Sequence, residues 1–122
     1  MSDYVIYHNP RCSKSRKALS ILHTNKLDYS IFLYLDEPLE FKQFKSLIER
    51  IGITPRKLLR KEEYDYTANS LDDTQISDEE IIKYMVKFPK LIQRPIIDNG
   101  INAIVGRPPE CIVQFVNSEL LK

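Results

Sequence analysis

Tyr4-Val5-Ile6-Tyr7-His8-Asn9-Pro10-Arg11-Cys12-Ser13-Lys14-Ser15-Arg16 is the stretch on which the reading of this chain turns. Four residues of β-forming character run into an Asn-Pro turn signal, and a helical pattern begins just past Cys12. A thiol at the first turn of a helix faces backbone N–H groups that carry partial positive charge. That position favours an anion, either the thiolate itself or a bound oxyanion. Arg11, Lys14, Arg16 and Lys17 add cations, with no acid among them. Free cysteines often serve as small buried hydrophobes. Placement between a polar loop and a basic helix start favours a reactive one.

Working outward, residues 13 to about 25 carry Ala18, Leu19, Ile21 and Leu22 on one side of a helix. Tyr29 to Leu35 is rich in β-formers and closes at Asp36-Glu37-Pro38. Strand, helix and strand within this span are the size of a βαβ unit with parallel pairing. Phe41, Phe44, Leu47, Ile48 and Ile51 repeat at helical spacing and stop at Gly52. Pro55 opens a short turn that delivers Arg60, and residues 61–75 read as polar loop with some local helix. Ser77-Asp78-Glu79-Glu80 has the form of a capping box ahead of Ile81, Ile82, Met85 and Phe88. Ile96-Ile97 and Ile101–Val105 flank Asp98-Asn99-Gly100, which predicts a hairpin with the second strand starting at Ile101. A last helix is expected from about Glu110. The order β-α-β-α-α-β-β-α predicts an α/β fold, a four-stranded mixed sheet flanked by helices, over a single domain of residues 1–122.

Composition narrows the function classes. A 122-residue chain with 43% hydrophobic and 29% charged residues has the makeup of a soluble globular protein. A formal net charge of +1 argues against a nucleic-acid footprint. No apolar run approaches the ~20 residues of a membrane span, and no secretion signal is read at the N-terminus. Cytoplasmic localisation is therefore expected. Acids gather at Asp36-Glu37, Glu62-Glu63, Asp72-Asp73 and Asp78-Glu79-Glu80, apart from the basic segment 11–17. Such segregation suits a small anion better than a polyanion. Cys111 adjoins the apolar face of the last helix and reads as packing, with a resolving thiol as the alternative. Arg50 and Arg56 read as ordinary solvated charges, and the scattered tyrosines as packing residues.

The order of elements resembles the thioredoxin fold. Within that fold, His8-Asn9-Pro10-Arg11-Cys12 followed by Ser15-Arg16 is similar to the active loop of the glutaredoxin-linked arsenate reductases. The similarity continues at Arg60, at Arg94-Pro95-Ile96 and at Val105-Gly106-Arg107-Pro108, and so covers nearly the whole chain. The resemblance implies that Cys12 attacks arsenic and that Arg60, Arg94 and Arg107 surround arsenate and its reduced product. It further implies that His8 and Ser15 support the thiolate and that Pro95 is a cis proline. No bound cofactor is expected; glutathione enters as co-substrate and glutaredoxin as electron donor. Where the family carries Gly-Thr after the cysteine, this chain has Ser13-Lys14.

The chemistry explains the residue types. Attack on an anionic As(V) centre needs a thiolate, and a free thiol of pKa ~8.5 is mostly protonated at neutral pH. Guanidinium forks neutralise the incoming oxyanion and never lose their charge. Ser15 stands where thioredoxins have a second cysteine, so electrons must come from an external thiol. Two other functions fit the same residues. One is a glutathione- or glutaredoxin-linked oxidoreductase of another small oxyanion or a protein thiol. The other is a redox regulator of the same fold that docks on RNA polymerase, for which Arg-Pro-Ile-Ile at 94–97 is the shared segment.

Overall fold

The computed structural model describes residues 3–120. Strand β1 (Tyr4–Tyr7) leads into helix α1 (Ser13–Thr24), strand β2 (Tyr29–Phe32) and helix α2 (Phe41–Ile51). A 3-10 turn at Pro55–Leu58, the short helix α3 (Tyr64–Ala68) and helix α4 (Asp78–Lys87) follow. After a second 3-10 turn at Pro89–Leu91 come β3 (Ile96–Asp98), β4 (Ala103–Val105) and helix α5 (Cys111–Leu120). The strands form one mixed sheet in the order β2-β1-β3-β4, with β1 parallel to β2 and antiparallel to β3. No helix among the described residues is long and apolar enough to cross a membrane.

Alternation along the strands divides the core between the two faces of the sheet. Ile6 and Ile97 pack with Ala18, Leu22, Ile112 and Val116, under α1 and α5. Ile96 and Ala103 pack on the opposite side with Phe44, Leu47, Ile81 and Met85 from α2 and α4. Complete burial of each such side chain contributes about 1.5–3 kcal/mol. Helix α2 stops where expected because Gly52 takes a left-handed φ of 81°, and its N–H reaches the Ile48 carbonyl at 3.0 Å. Helix α4 starts where Ser77 Oγ accepts the Glu80 N–H at 3.2 Å.

Several details depart from the sequence reading. Strand β2 ends at Phe32, because Leu33 donates its N–H to Glu37 Oε2 at 2.9 Å and its carbonyl accepts from Asp36 and Glu37. Strand β4 begins at Ala103, two residues later than expected. Asn99 Oδ1 captures the N–H groups of Ile101 and Asn102, which leaves Ile101 in the turn and 77% exposed. Residues 64–68 supply a fifth helix. Arg50 and Arg56 are not ordinary solvated charges. Arg50 makes a bidentate pair with Asp98 at 2.9 and 2.8 Å, and Asp98 is only 8% exposed. Arg56 donates to the carbonyls of Leu71, Asp73 and Ile76 and gathers the 71–76 loop.

Candidate active site

Four strand ends converge at one edge of the sheet. Tyr7 pairs with Phe32 and with Ile96, and Ile96 pairs with Val105. The residues just beyond them are therefore neighbours: His8 after β1, Tyr34 after β2, Arg94-Pro95 before β3, and Gly106-Arg107 after β4. Local bonds then fix the loop that carries the cysteine. Asn9 Oδ1 accepts the Arg11 N–H and the Asn9 carbonyl accepts the Cys12 N–H, both at 3.0 Å. Arg16 Nη1 closes the turn by donating to the Pro10 carbonyl at 2.9 Å. Cys12 is thereby held as the N-cap of α1 in extended backbone, and its own carbonyl accepts the Arg16 N–H.

Burial is the largest single influence on the Cys12 thiol and pushes its pKa up. Hydrogen bonds to sulfur from the Ser15 N–H, the Arg94 side chain and the Lys14 N–H, with the Arg94 charge, outweigh it. The net pKa is lowered. The helix N-terminus and one of the sequence-predicted arginines thus act on the same sulfur. Cys111 behaves oppositely: burial raises its pKa, and its thiol lies 3.5 Å from the Val105 carbonyl oxygen.

His8 and Ser15 are both buried and meet each other, with Nδ1 and Oγ 2.7 Å apart. Ser15 Oγ also accepts the Asn9 N–H at 3.0 Å. Burial, helped by the Arg16 charge, lowers the His8 pKa, and the His8 tautomer sets which of Nδ1 and the Ser15 hydroxyl donates in this bond. What Ser15 offers the sulfur is its backbone N–H; its hydroxyl belongs to the His8 bond.

The three arginines arrive from separate segments. Leu59 and Ile92 form a single antiparallel bridge outside the main sheet. Around it the Arg60 N–H reaches the Leu91 carbonyl at 2.7 Å, and the Gln93 N–H reaches that of Leu58 at 2.9 Å. That rung brings Arg60 beside the segment that delivers Arg94. The peptide bond between Arg94 and Pro95 is cis, as is the one between Arg107 and Pro108. Gly106 sits where β4 meets this corner, and its N–H reaches the Pro95 carbonyl at 2.8 Å. A Cβ there would stand 3.0 Å from Ile112 Cδ1 and 3.1 Å from Pro95 Cγ. Arg107 Nε donates to the Arg94 carbonyl at 2.6 Å. The Nε groups of Arg60 and Arg94 are buried without a hydrogen-bond partner among the described residues.

Tyr34 is the residue that sequence reasoning missed. Its ring is buried in the core, and burial pushes its phenol up to about 12. Arg94, Arg60 and Arg107 pull the other way, while Cys12 adds to the rise. One phenol therefore senses Cys12 and all three arginines that the sequence analysis singled out, and it stays protonated at neutral pH. Only the parallel pairing of β1 with β2 reveals this, because nothing local to Tyr34 distinguishes it from a packing tyrosine. Beside the loop lies a cleft of about 620 Å³, lined by His8 to Arg11 on one wall and by Leu35, Phe88 and Lys90 on another. Among the described residues, no group of three or more His, Cys, Asp or Glu side chains is placed to hold a metal ion.

Comparison with known proteins identifies relatives of the whole chain. The chain is 40% identical over 112 residues to the uncharacterized protein YfgD of Escherichia coli (strain K12), covering 91% of this chain and 94% of that one. It is 35% identical over 113 residues to an arsenate reductase of Haemophilus influenzae, covering 92% and 97%. The solved structure of an arsenate reductase from Vibrio cholerae superposes with a TM-score of 0.88 at 36% identity, over 93% of this chain and 97% of that one. The fold is thioredoxin-like. The sequence pattern of the ArsC family matches residues 7–115. With the pattern spanning most of the chain and the cysteine loop opening it, this protein belongs to the ArsC family.

Proposed function

We propose that this protein reduces arsenate to arsenite with electrons from thiols, and that Cys12 is the nucleophile. The observation that carries this is a cysteine at a helix N-terminus whose thiol pKa, raised by burial, is brought down on balance by the Ser15 N–H and by Arg94. Relatives named arsenate reductase support the choice of oxyanion. Arg60, Arg94 and Arg107 take the oxyanion, and the two unpartnered Nε groups are donors available to it. His8 and Ser15 support the thiolate indirectly, by tying the 8–12 loop to the first turn of α1, from which the Ser15 N–H points at sulfur.

The Cys12 thiolate forms an S–As bond, and one arsenate oxygen leaves as water after taking up a proton. Glutathione adds to the arsenic of this adduct and a second water departs. A glutaredoxin thiol then attacks the glutathione sulfur, and the electron pair of the broken As–S bond stays on arsenic. As(V) becomes As(III), and two thiols become one mixed disulfide. Water releases arsenite and restores the thiolate. Ser15 excludes a local Cys-x-x-Cys disulfide, which supports the need for an outside thiol. The cleft along His8 to Arg11 offers room beside the sulfur-bearing loop for a tripeptide thiol. Such chemistry belongs in a reducing cytoplasm.

Steady-state formation of arsenite from arsenate, with glutathione and glutaredoxin, tests the proposal. Turnover by the native protein and none by Cys12→Ser is the expected result. Native protein that forms no arsenite above background would overturn it.

A further inference from the structure

Arg60 is held differently from the other two arginines. Its side chain is 13% exposed, and two carboxylates of its own loop bind it. Nη1 lies 2.5 Å from Glu63 Oε1, and Nη2 lies 3.0 Å from Glu62 Oε1. Arg94 and Arg107 have no carboxylate ion pair among the described residues. Arg94 turns to the Cys12 sulfur, and Arg107 Nε to a carbonyl. Two negative charges on one guanidinium exceed what neutralising it requires. Glu63 is also the N-cap of α3, where a carboxylate would ordinarily accept N–H groups of the first turn. It makes no such bond and turns to Arg60 instead. Glu63 is 25% exposed and Glu62 63% exposed, so the nearer pair is also the drier one.

We propose that Glu62 and Glu63 form an intramolecular competitor for Arg60, lowering the affinity of the pocket for every free oxyanion. The inference rests on the assignment of Arg60 to the oxyanion. An incoming anion meets a guanidinium whose two terminal nitrogens already face carboxylates, and it must displace or repel them to use those donors. Nη1 also lies 3.5 Å from the Lys90 carbonyl oxygen, and the Nε–H is buried without a partner among the described residues. A tetrahedral anion that only docks gains nothing further to offset that competition. One that goes on to bond the Cys12 sulfur does.

Inorganic phosphate is the probe, because thiols do not reduce it. Protection of Cys12 from iodoacetamide, followed on the Cys12 peptide by mass, gives the half-protecting phosphate concentration. In Glu62→Gln/Glu63→Gln that concentration is expected to fall about fivefold, the scale of a partly exposed ion pair. Glu63→Gln alone should give most of the fall. An unchanged value would overturn the proposal. So would weaker protection, because carboxylates that serve to position Arg60 would lose their grip in the amide. Phosphate that protects neither protein would overturn it as well. Arsenate turnover by the native protein is measured separately, so loss of the reductase assignment and loss of the competitor assignment remain distinguishable.

Discussion

Arg107 Nε donates to the backbone carbonyl oxygen of Arg94 at 2.6 Å, so one arginine of the candidate site orients the backbone that carries another. Lysine at 107 keeps the charge and lacks the planar fork. Arg107→Lys should raise KM for arsenate about tenfold with a smaller change in kcat, on the scale of a lost charge-assisted bond. Steady-state kinetics at constant ionic strength checks this; an unchanged KM would remove Arg107 from the site.

Cys12 should alkylate with a midpoint below that of an ordinary thiol, because the thiolate is the reactive form and its pKa is lowered. Arg94→Gln removes a hydrogen bond and a charge from sulfur, so the midpoint should rise. Cys111, with its pKa raised, should react slowly throughout the neutral range. The linkage to stability has a definite sign. A folded-state pKa below the unfolded value stabilises the protein fully above the unfolded thiol pKa, and that stability is lost as pH falls through the folded one. Cys12→Ser should flatten this part of the stability profile, as read by denaturant titrations at several pH values.

Tyr34→Phe keeps the buried ring and removes only the phenol. Core packing should hold, with the thermal midpoint little changed. Protection of Cys12 by phosphate should weaken about tenfold if the hydroxyl donates to an anion held among the three arginines whose charges act on it. Equal protection in the two proteins would return Tyr34 to a packing role.

Arg50→Met leaves the Asp98 carboxylate buried without its cation. That should cost about 3 kcal/mol in chemical denaturation, the scale of a broken buried pair. Adding Asp98→Leu should recover much of the loss, because both charges are then gone. If the single variant is as stable as the native protein, the pair is not what holds α2 to β3.

What the sequence disclosed, and what it hid, divides by the range of the interaction. The Asn-Pro turn before Cys12, Gly52 past α2 and Ser77 ahead of α4 act within a few residues, and each falls where the chain predicts. The arginine motifs were found through family resemblance, because nothing local separates Arg60 from Arg50 or Arg56. The fates of Arg50 and Arg56 depend on Asp98 and on the 71–76 carbonyls, partners that only folding brings near. Tyr34 was hidden for the same reason. Ile101 misled because its apolar character suits a strand, while the Asn99 side chain was already claiming its N–H.

The single rung between Leu59 and Ile92 has one more consequence. The chain departs at Arg60 and comes back at Leu91, where backbone bonds of 2.7 and 2.9 Å flank the rung, and the closed segment 61–90 between them sends α4 into the core. The acids at its start, Glu62 and Glu63, lie outside that core and can change while both guanidinium-bearing ends stay fastened. Descendants of this scaffold are thus free to redraw the charge beside Arg60 by exchanging two acids, with the sulfur loop and the α4 packing left as inherited.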